Sequence, residues 1–203
     1  MPTQTGELGV TFPDNTLQTT AAIAGAPGFG GFTNMVVFTT NSFWTVPAGI
    51  TKCRVTVVGG GGGSLQSFDV SGYNPSTGAG GTAIKVITGL TPGVSITVTV
   101  GTGGRMDISP GGTSSFGAYC SATGGAVSGN GGGIGVGGTI NINGGYGISP
   151  TGIALYESGI AVQTSPFIAG ASIFGNNSYG AGAPVTGQPN GTPGYPGVVI
   201  VEY

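Results

Sequence analysis

The side chains able to carry chemistry are few. Between residues 32 and 203 the carboxylates are Asp69, Asp107, Glu157 and Glu202. Two carboxyl groups at the right separation would suffice for glycoside hydrolysis, but no spacing singles out a pair, and solvated loop positions account for Asp69, Asp107 and Glu157. Histidine is absent, so neither a Ser-His-Asp nor a Cys-His arrangement can be assembled within one chain, and no His-rich metal site exists. The stretch RVTVVGGGGGS, Arg54 to Ser64, drives a strand into five glycines. A phosphate loop of the Walker type needs lysine directly after glycine, and neither Lys52 nor Lys85 stands there. Gly133-x-Gly135-x-x-Gly138 and the looser GAGGTA, Gly78 to Ala83, match a dinucleotide fingerprint. No helix-forming sequence follows either, and 46 glycines make such matches expected by chance. The reading is therefore not an enzyme, with no cofactor and no metal.

The chain offers a binding vocabulary instead. Tyr73, Tyr146, Tyr156, Phe167, Phe174 and Tyr179 are scattered among Asn, Ser and Thr. Such side chains stack on sugar rings and hydrogen-bond hydroxyls without charge, like the tyrosine, serine, glycine and asparagine of binding loops. These six are the candidate receptor-binding residues, and each has the plainer reading of filling a gap beneath its own loop.

Composition limits the partners. Only Lys52, Arg54, Lys85 and Arg105 are basic and the net charge is -2, which leaves no patch to neutralise a row of phosphates, so nucleic acid is not expected. No apolar run approaches the roughly 20 residues of a membrane span, and no secretory signal is read at the N-terminus. The expectation is a soluble protein with no membrane insertion. Cys53 shares a strand face with Val55 and Val57, and Cys120 with Phe116 and Ala118. Two buried thiols acting as small hydrophobes are preferred to a disulfide.

The elements that must position these residues are strands. MVVFTT, SFWTVP, TKCRVTVV, TAIKVITGL, VSITVTV, SSFGAYCSA and the closing GVVIVEY all carry a period of two. In VSITVTV, Val94, Ile96, Val98 and Val100 face one way and Ser95, Thr97 and Thr99 the other, the pattern of an antiparallel strand with one wet face. Asn41-Ser42 and Leu90 to Gly93 are turn chemistry. The fold class is all-β: an antiparallel β-sandwich or jelly roll with long Gly-rich loops, its C-terminal strand returning to the middle of a sheet. This domain covers residues 32–203. Residues 1–31 form a separate stem, with Val10 and Phe12 on one face, a turn at Pro13-Asp14-Asn15 and Leu17 beyond. That reads as a short hairpin too small to bury its own core, needing partner chains or another surface.

From Gly124 to Gly197 glycine, proline, serine and asparagine dominate. Gly129, Gly132, Gly135 and Gly138 recur every third residue, as do Gly191, Gly194 and Gly197. Three residues per turn is the polyproline II repeat, so left-handed extended helices packed side by side are expected. The five glycines after β-strand TKCRVTVV let the chain leave the sheet and pass close to other backbone, which any side chain would block.

The segment Phe38 to Ser64 resembles the opening of the glycine-rich domain of bacteriophage tail fibre and adhesin proteins. The carrying motifs, in order, are Trp44 to Gly49 (WTVPAG), Val57 to Gly63, Thr91 to Gly101, Gly111 to Gly117 (GGTSSFG) and Pro196 to Tyr203 (PGVVIVEY). Gly9 to Ala22, GVTFPDNTLQTTAA, separately resembles a short segment ahead of C-terminal domains in phage fibre proteins. Unlike the nearly pure glycine often found centrally in that family, Asn141 to Pro189 carries aliphatic and aromatic side chains. The resemblance implies a virion protein made in the bacterial host cytoplasm. It implies a homotrimer whose loops attach to a bacterial surface glycan or outer-membrane protein. Val10, Phe12, Leu17 and Ile23 become the candidates for oligomerisation or for docking on other fibre, tail or capsid proteins. The alternatives are a capsid head fibre or decoration protein and, third, a polysaccharide depolymerase.

Overall fold

The computed structural model describes residues 31–64, 76–106, 109–127, 131–147, 178–183 and 191–203, together with the backbone of five short strands elsewhere. The chain divides into two compact units, Met1–Gly31 and Phe32–Tyr203.

In the first unit β1 (Gln4–Gly6), β2 (Gly9–Thr11) and β3 (Leu17–Gln18) form an antiparallel sheet in that order. Val10 stands opposite Gln18 and Thr11 opposite Leu17, so the pairing expected across residues 13–15 is present and a further strand joins it. Val10 and Leu17 are strand residues, whereas Phe12 and Ile23 lie outside the described residues.

The second unit is a sandwich of two five-stranded antiparallel sheets, and no helix occurs among the described residues. Its strands are β4 (Met35–Phe38), β5 (Ser42–Thr45), β6 (Lys52–Val58), β7 (Thr82–Thr88), β8 (Ser95–Thr99), β9 (Ser114–Phe116), β10 (Cys120–Ala122), β11 (Gly135–Val136), β12 (Ile140–Ile142) and, closing the chain, β15 (Val198–Glu202). A separate pair, β13 (Gln163–Ser165) with β14 (Ile168–Ala171), completes the count. One sheet has the order β12-β7-β6-β15-β4 and the other β11-β10-β9-β8-β5. The C-terminal strand does return to the middle of a sheet, between β6 and β4.

The core lies between the sheets because β-branched residues alternate. Cys53, Val55 and Val57 from β6 and Val199 and Val201 from β15 face Ile96 and Val98 from β8, with Trp44, Phe116, Cys120 and Ala122 filling the rest. Trp44 tilts against Phe116 and Tyr203 with ring centroids 5.7 and 5.6 Å away, a tilted geometry that aromatic quadrupoles favour. Both cysteines are buried and free. Burial, then the neighbouring Cys120, pushes the Cys53 thiol up to about 11, so it behaves as a small hydrophobe.

Two local readings are corrected. SSFGAYCSA is not one strand: β9 and β10 fold back on each other with Phe116 opposite Cys120, and Gly117 takes the positive φ of 50° that the turn between them requires. Ala118 is accordingly exposed. Val94 is half exposed, because it closes the Thr91–Val94 turn, in which its N–H donates to Thr91 O at 3.2 Å, before the alternation of β8 begins.

Beyond the sandwich the chain builds a second kind of core, made of backbone. Gly59 and Gly62 donate N–H to Gly81 O (3.0 Å) and Gly78 O (2.9 Å); Gly60 and Gly63 to Gly112 O (2.9 Å) and Ser109 O (3.1 Å); Gly61 and Ser64 to Tyr195 O (2.8 Å) and Thr192 O (2.9 Å). Donors three apart return to one neighbouring segment, three residues further back along it, so the segment Gly59–Ser64 turns once per three residues and has three antiparallel neighbours. Three other segments donate to it, Gly125 to Gly60 O (2.8 Å), Gly104 to Gly61 O (2.8 Å) and Ala183 to Gly62 O (3.0 Å). Six extended segments thus surround one hub, with none of the hub glycines at positive φ: a left-handed polyproline II bundle.

Side chains are excluded from its interior. A Cβ on Gly60 would stand 2.1 Å from Thr102 O, and one on Gly61 1.8 Å from Ala181 O, so glycine is required by close approach. In the segment 191–197 the same geometry shows as burial of period three. Gly191, Gly194 and Gly197 are buried, Pro193 and Pro196 exposed, Thr192 and Tyr195 intermediate. In the other run expected to be extended, only part joins the bundle: Gly132 lies within it, Gly135 is in β11, Gly138 sits in the turn before β12, and Gly129 lies outside the described residues.

Candidate functional site

The bundle has two ends, and the strands that feed it distinguish them. β6 runs into Gly59, and Gly197 runs into β15, so the sandwich closes one end. At a rise of about 3.1 Å per residue the hub's six residues carry the far end on the order of 19 Å away.

At that far end several segments are bonded to one another. Ser64 donates to Thr192 O at 2.9 Å, Gly63 to Ser109 O at 3.1 Å, Thr77 to Ala183 O at 3.2 Å and Ala126 to Gly131 O at 3.1 Å. Gly147 stands beside Ser76, where a Cβ on it would come within 2.3 Å of the Ser76 carbonyl oxygen. Ser64, Thr77, Ala126, Gly131, Gly147, Ala183 and Thr192 therefore lie together at this end of the bundle.

Hydroxyls tie this end where glycine gives out. The buried Thr77 Oγ1 donates to Gly62 O at 2.6 Å and accepts from Ala183 N at 2.8 Å, while Ser64 Oγ accepts from Thr192 N at 2.7 Å. The opposite end of the unit is where the chain comes in: Thr33 and Asn34 donate to Tyr203 O at 3.1 and 2.9 Å, beside Met35 of β4. The unit is thus polar along its length, with residues 33–35 and Tyr203 at one extreme and Ser64, Thr77, Ala126 and Ala183 at the other.

Two of the six aromatic candidates are placed by the described residues, and they are apart. Tyr146 is exposed at the far end, near Gly131. Tyr179 precedes Gly180, which packs on Val58 Cγ1 and donates to Pro196 O at 2.7 Å, and so belongs to the sandwich end of the bundle. Tyr73, Tyr156, Phe167 and Phe174 lie outside the described residues, as do Asp69, Asp107 and Glu157. Arg105 and Met106 are exposed at the far end as well and were not singled out by sequence. The signal available was their position directly after Gly103-Gly104, where a segment leaves the bundle.

Among the described residues no three His, Cys, Asp or Glu side chains gather as a metal site would require, and no helix is long and apolar enough to cross a membrane. The close ion pair, Arg54 with Glu202 through Nε and Nη2 (2.6 and 2.5 Å), lies on the outer face of β6 and β15. The hydrogen bond from Arg54 holds the Glu202 carboxyl below the usual glutamate range. No protein-family model matches the chain, and a search of curated proteins finds no match either.

Proposed function

We propose that this chain is a bacteriophage virion protein, a fibre tip or adhesin, that attaches to the bacterial host surface through the segments departing from the far end of its glycine bundle. The single observation that carries the reading is the polarity just described. Ser64, Thr77, Ala126, Gly147 and Ala183 meet at one end of a hydrogen-bonded backbone bundle, while the chain comes into the unit at the other. Loops on a rigid scaffold are where binding residues concentrate, and Tyr146 stands exposed there. The resemblance of Phe38 to Ser64, and of Pro196 to Tyr203, to the glycine-rich domain of phage fibre proteins points the same way.

In this reading the ligand is a surface glycan or an outer-membrane protein, and no catalysis is involved. Residues 1–31 join three copies and dock them on other fibre, tail or capsid proteins. Attachment works by many weak contacts, so avidity stands in for single-site affinity. The test is gold labelling of whole virions with an antibody against residues 32–203. Label at fibre ends supports the adhesin. Label over the head overturns it and leaves a capsid fibre or decoration protein.

A further inference from the structure

Most strands of the sandwich are continuous with the bundle: β6, β8 and β10 lead into it, and β7, β9 and β15 lead out of it. β4 does neither. It begins beside residue 32, where the chain enters the unit, and lies at the edge of its sheet with β15 as its neighbour. Met35 stands opposite Glu202 and Phe38 opposite Val199. Asn34 extends this ladder, its N–H donating to Tyr203 O at 2.9 Å while Tyr203 N–H donates to Asn34 O at 3.0 Å. β15 is gripped in turn by β6, from Val198 opposite Val58 to Glu202 opposite Arg54, with Arg54 Nε donating to Glu202 Oε2 at 2.6 Å. Above β15, Gly197 and Gly194 donate to Gly101 O (2.8 Å) and Gly104 O (2.9 Å) in the bundle.

We infer that the β4–β15 ladder is a tension clamp, which carries force in shear between the chain entry at residue 32 and the bundle. The strands are antiparallel, and tension reaches each at its N-terminal end, β4 from Phe32 and β15 from Gly197. Those two ends lie at opposite extremes of the ladder. Its hydrogen bonds run perpendicular to the strands, so a pull along the strands strains all of them together and none gives way first. A pull between Phe32 and Tyr203 acts instead at one end of the same ladder. It opens the ladder pair by pair, beginning with Asn34 and Tyr203. The same bonds thus have two strengths, chosen by direction. This use of the clamp rests on the proposed function, in which the virion holds residues 1–31 and the host holds the far end of the bundle. Of the N-terminal unit it asks only covalent continuity at Gly31–Phe32.

Register tells which bonds matter. Asn34 and Tyr203 exchange hydrogen bonds, so the alternation of an antiparallel ladder gives the next bonded positions to Val36 with Val201 and Phe38 with Val199, and turns the Val37 N–H to the open edge of the sheet. Proline at position 36 deletes a bond of the clamp. Proline at position 37 deletes none and stands where edge strands tolerate it.

Optical-tweezers pulling of the full chain tests this. One handle is fixed at Thr33→Cys and the other either at Arg105→Cys, exposed at the far end, or at the C-terminus; Cys53 and Cys120 are buried and stay unlabelled. Under the same constant force the Thr33–Arg105 pair is expected to hold about tenfold longer than the pair from Thr33 to the C-terminus, since forced unfolding reports the unfolding rate. Val36→Pro should shorten the longer lifetime by about tenfold and Val37→Pro should leave it unchanged. Equal lifetimes in the two directions overturn the clamp, and that comparison needs no proline variant to fold. If both variants fold by circular dichroism and hold equally long, the ladder between β4 and β15 is not what bears the force, and the proposal falls. Neither result depends on where virions carry the label, so the clamp and the adhesin reading fail separately.

Discussion

The sandwich and the glycine bundle are two solutions to one problem, how to bury chain without leaving polar groups unpaired. In the sandwich, backbone groups pair along strands and side chains fill the space between sheets, so Trp44, Phe116 and the valines of β6, β8 and β15 set the distance between layers. In the bundle there are no layers to separate. Each hub residue from Gly60 to Gly62 donates to one neighbour and accepts from another, and the backbones come so close that no side chain fits between. One core is specified by what its side chains add, the other by their absence. A methyl group should therefore have opposite signs in the two regions.

The sharpest way to break that contrast is Gly61→Ala. Its Cβ would lie 1.8 Å from the Ala181 oxygen, a backbone atom that cannot swing away. The expected loss is upwards of about 5 kcal/mol, in the exceptional range for one substitution, read by denaturant unfolding and by loss of amide exchange protection at residues 59–64. If Gly61→Ala is tolerated, the hub does not pack as described. Next is the removal of bulk from the sandwich: Phe116→Ala should cost about 3–5 kcal/mol, with protection lost in β8, β9 and β10 first. Thr77→Val tests the place where the two styles meet, since a buried side-chain hydroxyl there joins the backbone network. The isosteric change leaves Gly62 O and Ala183 N with only each other and should cost about 1–3 kcal/mol.

The smallest effect belongs to neither core. Glu202→Gln removes a largely solvent-facing ion pair and should cost no more than about 1 kcal/mol. Its pH dependence has a fixed sign. The Glu202 pKa is lowered by the hydrogen bond from Arg54, so the contribution is present above the ordinary glutamate pKa and is lost as pH falls through the lowered folded value. Wild type and Glu202→Gln should converge in stability toward low pH, measured by urea midpoints.

The same contrast explains what could be read from sequence. The strands were legible because period two is written in side chains: Cys53, Val55 and Val57 alternate in the sequence as they do in the core. A turn at Leu90 to Gly93 was legible because Pro92 and Gly93 set its dihedrals, with Gly93 at φ 84°, although it closes one residue later, at Val94. The hub was not, beyond the reason for its glycines, because five identical residues carry no period and each hydrogen-bond partner is remote in sequence, as Tyr195 is from Gly61. Period three was visible in residues 191–197 only because proline and tyrosine interrupt the glycine. For the candidate site, composition placed aromatics in glycine-rich segments but not which end of the bundle each segment reaches. Tyr146 and Tyr179 look equivalent in sequence and stand at opposite ends.

The hub also shapes how the molecule answers to temperature. Burial of apolar area gives the sandwich the large heat-capacity change on unfolding that makes hydrophobic stabilisation fade on cooling, whereas burial of peptide groups contributes with the opposite sign. A chain that invests so much of its interior in backbone should therefore have a flattened stability curve. On cooling, the apolar packing around Trp44 should weaken before the hydrogen bonds around Gly61 do, an order that amide exchange measured at falling temperature would read.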